Sequence, residues 1–368
     1  MTLTRRDVLA TGLMAAAGSA LMPPKSFAGA IFSPKPGVWN TYDVTTRLEI
    51  PTHGSPAQAW IPVPSVAETA WVKPGGNTVT SNGRHTDWQA PRSGARLIHA
   101  MWSGTAPTAI IEVTSRVALR DRAIDLLRPA GAYKLSEDDL RRYTTSNDHI
   151  PLDGIVKQTS DRVVAASGPT LRLEKVRAIY EWMVENTYRE ATVRGCGTGD
   201  IVAMLQSGKF GGKCADLNAL FVGLVRAQGI PARDVYGIRV APSAFGYKSL
   251  GANSNDITKA QHCRSEVFLA EFGWVPMDPA DVRKVALEEP PGHLSLDNPA
   301  VQTARTTLFG SWEGNWMPYN AADLIALPQA KDGKPTFVMY PEAETVAGRL
   351  DCLDPQTVAY TIASKKIV

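Results

Sequence analysis

One amphipathic helix preceded by a cysteine constrains the fold of this chain more than any other feature. Apolar residues at i, i+3, i+4 and i+7 predict a single buried helical face, formed by Leu217, Leu220, Phe221 and Leu224. Gly229 is placed to end this helix, and Pro231 bars its continuation. The sequence therefore predicts that Cys214 lies at the N-terminus of a buried helix.

The segments around this helix differ in their periodicity. From Tyr42 to about residue 118 the pattern indicates strands, and residues 59–64 are expected to form an edge strand because prolines cannot donate to a ladder. Ser136 with Asp139 fits a capping box, and residues 172–187 predict an amphipathic helix. Asp200 is a candidate cap for a short helix. Strands are predicted again at 234–240, 263–269 and 273–277.

We therefore predict an α+β fold in which the helix bearing Cys214 packs on an antiparallel sheet, with an N-terminal β-sandwich. The predicted domains are a β-sandwich at 32–130, a catalytic domain at 135–300 and a Trp- and Pro-rich C-terminal extension with short strands at 301–368.

The first 28 residues predict a targeting segment. Arg5 and Arg6 precede a mildly apolar run rich in Ala and Gly, and Ser26-Phe27-Ala28 supplies the small residues that a signal peptidase reads. This pattern resembles a twin-arginine (Tat) signal peptide. We expect cleavage after Ala28 and export to the bacterial periplasm.

Composition excludes several classes of protein. The formal net charge is only +3, so whole-molecule electrostatics do not favour a nucleic-acid partner. Beyond the first thirty residues no stretch is apolar enough for stable membrane insertion. The four cysteines are Cys196, Cys214, Cys263 and Cys352, too few for a disulfide framework. One bridge is allowed in an oxidising compartment, with Cys196–Cys263 as the pairing we consider.

Cys214 is a candidate nucleophile. A thiol attacks as its thiolate, and a helix N-terminus lowers the pKa of a thiol and supplies N–H groups for an oxyanion. Gly211 and Gly212 would let substrate backbone pass close to the sulfur. The alternative is a buried structural cysteine, but Cys214 precedes the apolar stripe and follows a Gly-rich loop.

A cysteine nucleophile needs a histidine within hydrogen-bond reach and a third group that orients it. His262 begins one predicted strand and Asp278 follows the next, so an antiparallel pairing would bring the two side chains together. The other five histidines have no such partners. The spacing of the His and Cys residues along the sequence does not match the ligand set of a metal site.

Three motifs carry a resemblance to a known family. The Cys motif of the transglutaminase-like superfamily resembles the run from Gly212-Lys213-Cys214-Ala215-Asp216-Leu217-Asn218 to Arg233. The His motif of that family resembles His262 at the start of a strand, and its Asp motif resembles Gly273-Trp274-Val275-Pro276-Met277-Asp278. The likeness covers about residues 140–285. It implies a papain-like core, a Cys214-His262-Asp278 triad and acyl transfer through a thioester with no metal or organic cofactor.

Several other residues near the motifs have more than one possible role. Gly212, Arg264 and Trp274 are candidates for substrate binding. Arg264 could favour an acidic group in the cleft, or it could be a strand residue paired with Glu266 or solvent. Trp274 could also be a core tryptophan. Asp216 is expected to act as a capping partner rather than a catalytic acid.

We predict a cysteine hydrolase that acts on a peptide, protein or cell-wall amide, because water outcompetes amines by concentration in a dilute exported setting. One alternative is a protein-glutamine transamidase that uses the same triad for cross-linking. A second is a non-catalytic binding or scaffold protein on the same fold. The sequence leaves the substrate and the oligomeric state open.

Overall fold

A computed structural model describes residues 32–354 and 356–367. The predicted signal peptide at 1–28 lies outside the described residues. The seven helices of the described residues are α1 (Glu137–Thr144), α2 (Gly154–Ser167), α3 (Arg172–Asn186), α4 (Ile201–Ser207), α5 (Cys214–Arg226), α6 (Pro279–Glu288) and α7 (Pro299–Thr307), with a short 3₁₀ turn at Lys248–Leu250. No helix in this part of the chain combines the length and apolar character needed to cross a membrane.

The described residues also form seventeen strands. They are β1 (Asn40–Pro51), β2 (Ala57–Val63), β3 (Val72–Ser81), β4 (Arg84–Gln89), β5 (Arg96–Trp102), β6 (Thr108–Leu119), β7 (Arg122–Ala123), β8 (Tyr188–Arg189), β9 (Gly211–Gly212), β10 (Ala232–Arg239), β11 (Gln261–Leu269), β12 (Gly273–Met277), β13 (Ser311–Trp312), β14 (Trp316–Asn320), β15 (Glu342–Thr345), β16 (Gly348–Arg349) and β17 (Ala359–Lys366). The described residues therefore combine helices with antiparallel sheets, which is the predicted α+β fold.

Two antiparallel sheets face each other at the N-terminal side of the molecule. One has the strand order β17-β1-β6-β3 and the other β16-β15-β2-β5-β4. In β1 alternate residues from Tyr42 to Ile50 are buried, as expected for a strand with one face on a core. A separate apolar cluster between the sheets includes Leu48, Ile61 and Ile111. These two sheets form the sandwich layers.

The prediction that residues 59–64 form an edge strand was wrong. β2 lies inside its sheet, between β15 and β5. Pro62 pairs with Leu97 on β5, whereas the pairing with β15 stops at Trp60. The missing N–H of Pro62 therefore falls beyond the end of β15, where no ladder bond is required.

The catalytic region has its own antiparallel sheet with the order β12-β11-β10-β14. Helix α5 packs on this sheet and on α3, and every residue of α5 is buried. On α3 the predicted inward face is fully buried at Val176, Ile179, Tyr180 and Met183. The helix on a sheet with Cys214 at its start is the papain-like arrangement expected from the sequence.

Residues after 300 extend all three sheets. β14 pairs with β10 in the catalytic sheet, β15 pairs with β2 in the five-stranded sheet, and β17 pairs with β1 in the other sandwich sheet. The predicted domain boundaries stay predictions, but the C-terminal strands connect the sandwich layers to the sheet that carries the site.

Candidate active site

Cys214 is the first residue of α5, and a carboxylate fixes the backbone just before it. Asp216 Oδ2 accepts the Lys213 N–H at 3.0 Å, and its Oδ1 accepts the N–H groups of Thr198 and Gly199 at 2.9 Å each. Three otherwise unpaired N–H groups are therefore satisfied by one side chain. This confirms the predicted capping role of Asp216.

The glycines before Cys214 are explained by close packing. Gly211 and Gly212 form β9, which pairs in parallel with β8. A Cβ at Gly212 would lie 2.6 Å from the Cβ of Asp216, and one at Gly211 would lie 2.4 Å from the ring of Tyr188. The segment is thus held against its neighbours, and a substrate contact by Gly212 stays a prediction.

His262 and Asp278 meet as the strand order predicts. His262 lies at the start of β11, and Asp278 directly follows β12 as the N-cap of α6. The distance from His262 Nε2 to Asp278 Oδ2 is 2.8 Å. Asp278 Oδ1 accepts the Asp281 N–H at 3.0 Å, so the cap of the helix also fixes the carboxylate.

The backbone around this pair is also held by side chains. Trp316 Nε1 donates to the carbonyl oxygen of His262 at 2.9 Å. Asn218, one turn into α5, donates to the Cys263 carbonyl at 2.9 Å and lies 3.4 Å from Asp278 Oδ1. The helix with the nucleophile is thereby connected to both strands that carry the other two groups.

The pKa values of the thiol and the imidazole favour an ion pair. Burial lowers the pKa of His262, but the carboxylates of Asp281 and Asp278 outweigh burial and raise it to about 9. The pKa of Cys214 is held well below the ordinary value by the thiols of Cys196 and Cys263 and by His262. Because Nε2 faces the carboxylates, Nδ1 is the ring atom left for the sulfur.

Two more cysteines surround the nucleophile. The Cys196 carbonyl accepts the Ala215 N–H at 2.9 Å, and Cys196 Sγ lies 3.4 Å from the Gln261 carbonyl. The thiol of Cys196 has one S–H proton to donate, and the Gln261 carbonyl and Cys214 compete for it. Cys214 is the stronger acceptor once it is a thiolate. The pKa of Cys196 is raised by this hydrogen bond and by burial.

Cys263 directly follows His262 on β11 and is 0% exposed. Burial, together with a hydrogen bond to Cys214, raises the pKa of Cys263. It therefore stays protonated and does not compete as nucleophile. The four cysteines are free thiols, so the Cys196–Cys263 bridge considered from the sequence does not form in this structure.

Two buried arginines complete the charge arrangement. Arg239 Nη2 donates to Asp281 Oδ1 at 2.6 Å, and Arg264 Nε lies 3.7 Å from Asp278 Oδ2. His262, Asp278 and Asp281 place ligand atoms within 4.8 Å of one another, a spacing that could hold a metal ion. Because two guanidinium groups already balance the two carboxylates, we interpret the cluster as support for the imidazole.

The structure does not support the predicted substrate contacts of Arg264 and Trp274. Arg264 is 2% exposed and donates to the Glu313 carbonyl at 3.1 Å, so it neither lines a cleft nor pairs with Glu266. Trp274 pairs with Phe268 in the sheet, six residues along β11 from His262, which is about 20 Å at strand spacing. Its ring is half-buried and packs against Tyr143.

An open cleft of about 640 Å³ lies next to the site. Its lining includes Lys213, Gln261, Cys196 and Tyr340. Cys214 itself is only 2% exposed. Cys196 lines the cleft, and its carbonyl oxygen accepts the N–H of Ala215, the residue after Cys214.

Sequence reasoning missed several groups of this site. Asp281 could have been found from its position three residues after Asp278, in the first turn of a helix that begins with proline. Arg239 and Cys196 lie on separate elements, and no local pattern connects them to Cys214. Asn218 falls inside the recognised Cys motif but was interpreted only as part of the helix.

Three comparisons show which known proteins this chain is similar to. Residues 157–279 match the sequence profile of the Transglutaminase-like superfamily. An uncharacterized protein of Haemophilus influenzae is 35% identical over 351 residues, covering 89% of this chain and 90% of that protein. The solved structure of a candidate cysteine protease from Cytophaga hutchinsonii is similar with a TM-score of 0.49 at 12% identity, covering 89% of this chain and 99% of that one.

The periplasmic domain of TgpA from Pseudomonas aeruginosa is similar with a TM-score of 0.35 at 16% identity, covering 66% of this chain and 88% of that one. The matched profile spans α5, β11 and β12 and ends one residue after Asp278, so it contains all three groups that the structure brings together. Residues 157–279 of this chain therefore form a domain of the transglutaminase-like superfamily.

Proposed function

We propose that this protein is an exported cysteine hydrolase that cleaves a peptide or other amide bond through a thioester on Cys214. The observation that carries the proposal is the 2.8 Å contact between His262 Nε2 and Asp278 Oδ2, with the free side of the ring beside a thiol of lowered pKa. This combination supplies a nucleophile, an acid for the leaving amine and a group that orients the imidazole.

The chemistry begins with the Cys214 thiolate attacking the carbonyl carbon of the amide. The first-turn N–H groups of α5 have no partners within the helix, and the Ala215 N–H is already taken by the Cys196 carbonyl. The Cys214 N–H is therefore the donor that we assign to the developing oxyanion. His262 gives its Nδ1 proton to the leaving nitrogen as the C–N bond breaks.

The second half of the reaction uses the now neutral imidazole. His262 takes a proton from water, the hydroxide attacks the thioester carbonyl, and the C–S bond breaks to release a carboxylic acid and the Cys214 thiolate. Asp278 and Asp281 hold the imidazole during both steps. Because Cys214 is 2% exposed, the side chains that cover its sulfur must move before the substrate reaches it.

The test compares wild-type protein with Cys214→Ala on peptide, isopeptide and cell-wall amide substrates, measuring the released amine. We expect turnover by wild type and none by the variant. Equal turnover by both proteins would contradict the proposal. Ser103→Ala, at an exposed position outside the lining of the cleft, is the control and should leave turnover unchanged.

Transamidation is the alternative outcome for the same site. Incorporation of a labelled amine into a glutamine-bearing protein, faster than release of the free acid, would assign the reaction to cross-linking. If no acyl product of either kind forms and iodoacetamide labels Cys214 no faster than a free thiol, the binding or scaffold alternative is favoured.

Export by the twin-arginine route is part of the proposal. Its basis is the Arg5-Arg6 pair ahead of the apolar run and the small residues that end at Ala28. N-terminal sequencing of periplasmic protein should begin at Gly29. Unchanged export of a chain carrying Arg5→Lys and Arg6→Lys would contradict this route.

A further inference from the structure

The cleft beside Cys214 is rich in positive charge. Six cationic side chains line it: Arg189, Arg194, Lys213, Arg239, Lys259 and Lys284. Among its lining residues Asp256 is the single acidic one. A lining of this kind favours anionic ligands, provided that the cations are not already neutralised by partners outside the cleft.

Four of the six cations have such partners. Arg194 pairs with Asp351 at 2.7 Å, and Arg239 pairs with Asp281 at 2.6 Å. Arg189 and Lys284 share Glu288, at 2.9 and 3.7 Å. Three carboxylates therefore balance four cations, and this part of the lining keeps a small excess of positive charge.

Lys213 and Lys259 carry the remaining charge. Neither has a carboxylate oxygen within 4.0 Å among residues 32–354 and 356–367. Lys213 and Lys259 help to lower the pKa values of Glu190 and Asp256, but the carboxylates of these acids accept hydroxyl groups, from Thr192 at 2.8 Å and Thr258 at 2.6 Å, and form no ion pair with either lysine. Both ammonium groups are thus available to a ligand.

The positions of these lysines connect the charge to the reaction. Lys213 directly precedes Cys214, and Lys259 lies three residues before His262. The two segments that supply nucleophile and imidazole therefore also supply the free cations. An anionic group bound between the two lysines would lie next to the amide that Cys214 attacks.

We propose that the cleft binds a carboxylate of the substrate, so that the preferred substrates are acidic peptides or amides with a carboxylate close to the scissile bond. This inference rests on the proposed function. An ammonium group is a compact charge that attracts a carboxylate from several directions, so the cleft selects for charge more than for one geometry.

The experiment uses peptide amides that differ only in charge. One carries Glu and the other Gln beside the scissile bond, and a second pair ends in a free carboxylate or in a carboxamide. We expect kcat/KM to favour one acidic member by about fivefold, because an exposed ion pair contributes up to about 1 kcal/mol. Which pair shows the preference identifies whether a side chain or a chain terminus supplies the carboxylate. Added salt should reduce the preference.

Variants of Lys259 test the assignment to the cleft. Lys259→Met should abolish most of the preference, and Lys259→Glu should reverse it in favour of a Lys-bearing peptide. Lys209 is exposed, as Lys259 is, but lies outside the cleft. Lys209→Met is therefore the matched control and should keep the preference. Reversal by Lys259→Glu is a change that a merely structural role would not produce.

Binding to the full-chain Cys214→Ala variant separates the two proposals. If the acidic peptide binds more tightly than its neutral partner but wild type cleaves neither, the hydrolase fails and the cleft assignment stands. If wild type cleaves both members of each pair equally, or if Cys214→Ala binds them equally, the cleft assignment is overturned.

Discussion

The Nε2 atom of His262 lies 3.3 Å from Oδ1 of Asp281, so the imidazole faces a second carboxylate besides Asp278. The charge of Asp281 has a larger Coulombic effect than that of Asp278 on the pKa of His262, which is raised to about 9, and Asp278 adds a hydrogen bond. The two carboxylates therefore act differently on the imidazole. Asp278 makes the shorter contact with Nε2, and the charge of Asp281 has the larger Coulombic effect on the pKa.

We expect Asp281→Asn to lower the pKa of His262. Above its pKa the imidazole is neutral and has no proton for the leaving amine, so wild-type kcat/KM should fall as pH rises through about 9. In the variant this basic limb should begin at lower pH. The measurement is a pH profile of kcat/KM from pH 5 to 10.

Asp278→Asn is the control for that profile. It removes the 2.8 Å contact that orients the ring, so we expect a larger fall in kcat than for Asp281→Asn. Asp281→Asn also leaves buried Arg239 without its partner, and we expect the free energy of unfolding to fall by about 3 kcal/mol. An unmoved basic limb in folded Asp281→Asn protein would contradict the role of Asp281.

The thiol of Cys196 should be needed for the low pKa of Cys214, because its hydrogen bond is the largest cause of that shift. We expect Cys196→Ala to raise the pKa of Cys214 and Cys196→Ser, which keeps a donor, to preserve more of the shift. Thiolate absorbance near 240 nm, taken as the difference from Cys214→Ala, measures the titration. Identical titrations for the two Cys196 variants would exclude hydrogen bonding as the cause.

Glu266 should stabilise the fold through two arginines. It is 0% exposed, receives a hydrogen bond from Arg233 Nε at 2.6 Å and is also bonded to Arg122. Glu266→Gln leaves only Glu68, at 3.2 Å from Arg233 and 3.9 Å from Arg122, as a carboxylate partner, and we expect a loss of about 3 kcal/mol in the free energy of unfolding at pH 7. Glu49→Gln, at an exposed pair with Arg47, should change it by less than about 0.5 kcal/mol.

The same carboxylate predicts an acid dependence of stability. Burial raises the pKa of Glu266, but Arg233 and Arg122 outweigh burial and lower it below 4.5. A group with a lowered folded pKa stabilises the fold above its unfolded pKa, and that contribution is lost as pH falls through the folded value. Urea unfolding of wild type should therefore weaken below about pH 4.5 more than that of Glu266→Gln.

Much of the site could be predicted from sequence because it rests on local patterns. The stripe from Leu217 to Leu224 fixes where α5 begins, and therefore where Cys214 lies. The short connection between β11 and β12 makes their pairing nearly certain to be antiparallel, which brings His262 towards Asp278. Each inference needed only periodicity of one element or the pairing of neighbours.

The features that were missed depend on distant partners. β2 was predicted to be an edge strand from its prolines. Its neighbour β15 comes from residues 342–345, and nothing in residues 57–63 indicates that pairing. Cys196 reaches Cys214 from a loop before α4, and Tyr340 approaches it from the C-terminal segment. Such contacts follow from tertiary packing and have no local periodicity.

Gly212 gives a way to separate backbone packing from substrate contact. A Cβ there would lie 2.6 Å from the Asp216 Cβ and 3.0 Å from its Oδ2, the atom that accepts the Lys213 N–H. We therefore expect Gly212→Ala to displace Asp216, loosen the start of α5 and lower kcat/KM by more than about tenfold, since small misplacements of catalytic groups are costly. The thiolate titration of Cys214 should shift as well.

A shift of that titration without substrate is the result that distinguishes the two roles, because a glycine that only gave room to substrate would change KM and leave the free enzyme untouched. Gly76→Ala is the matched control. Gly76 has no heavy atom within 4 Å of an added Cβ and no left-handed φ, so stability and activity should be unchanged. If Gly212→Ala raises KM while the titration, kcat and unfolding free energy stay at wild-type values, Gly212 contacts the substrate and its packing against Asp216 is not limiting.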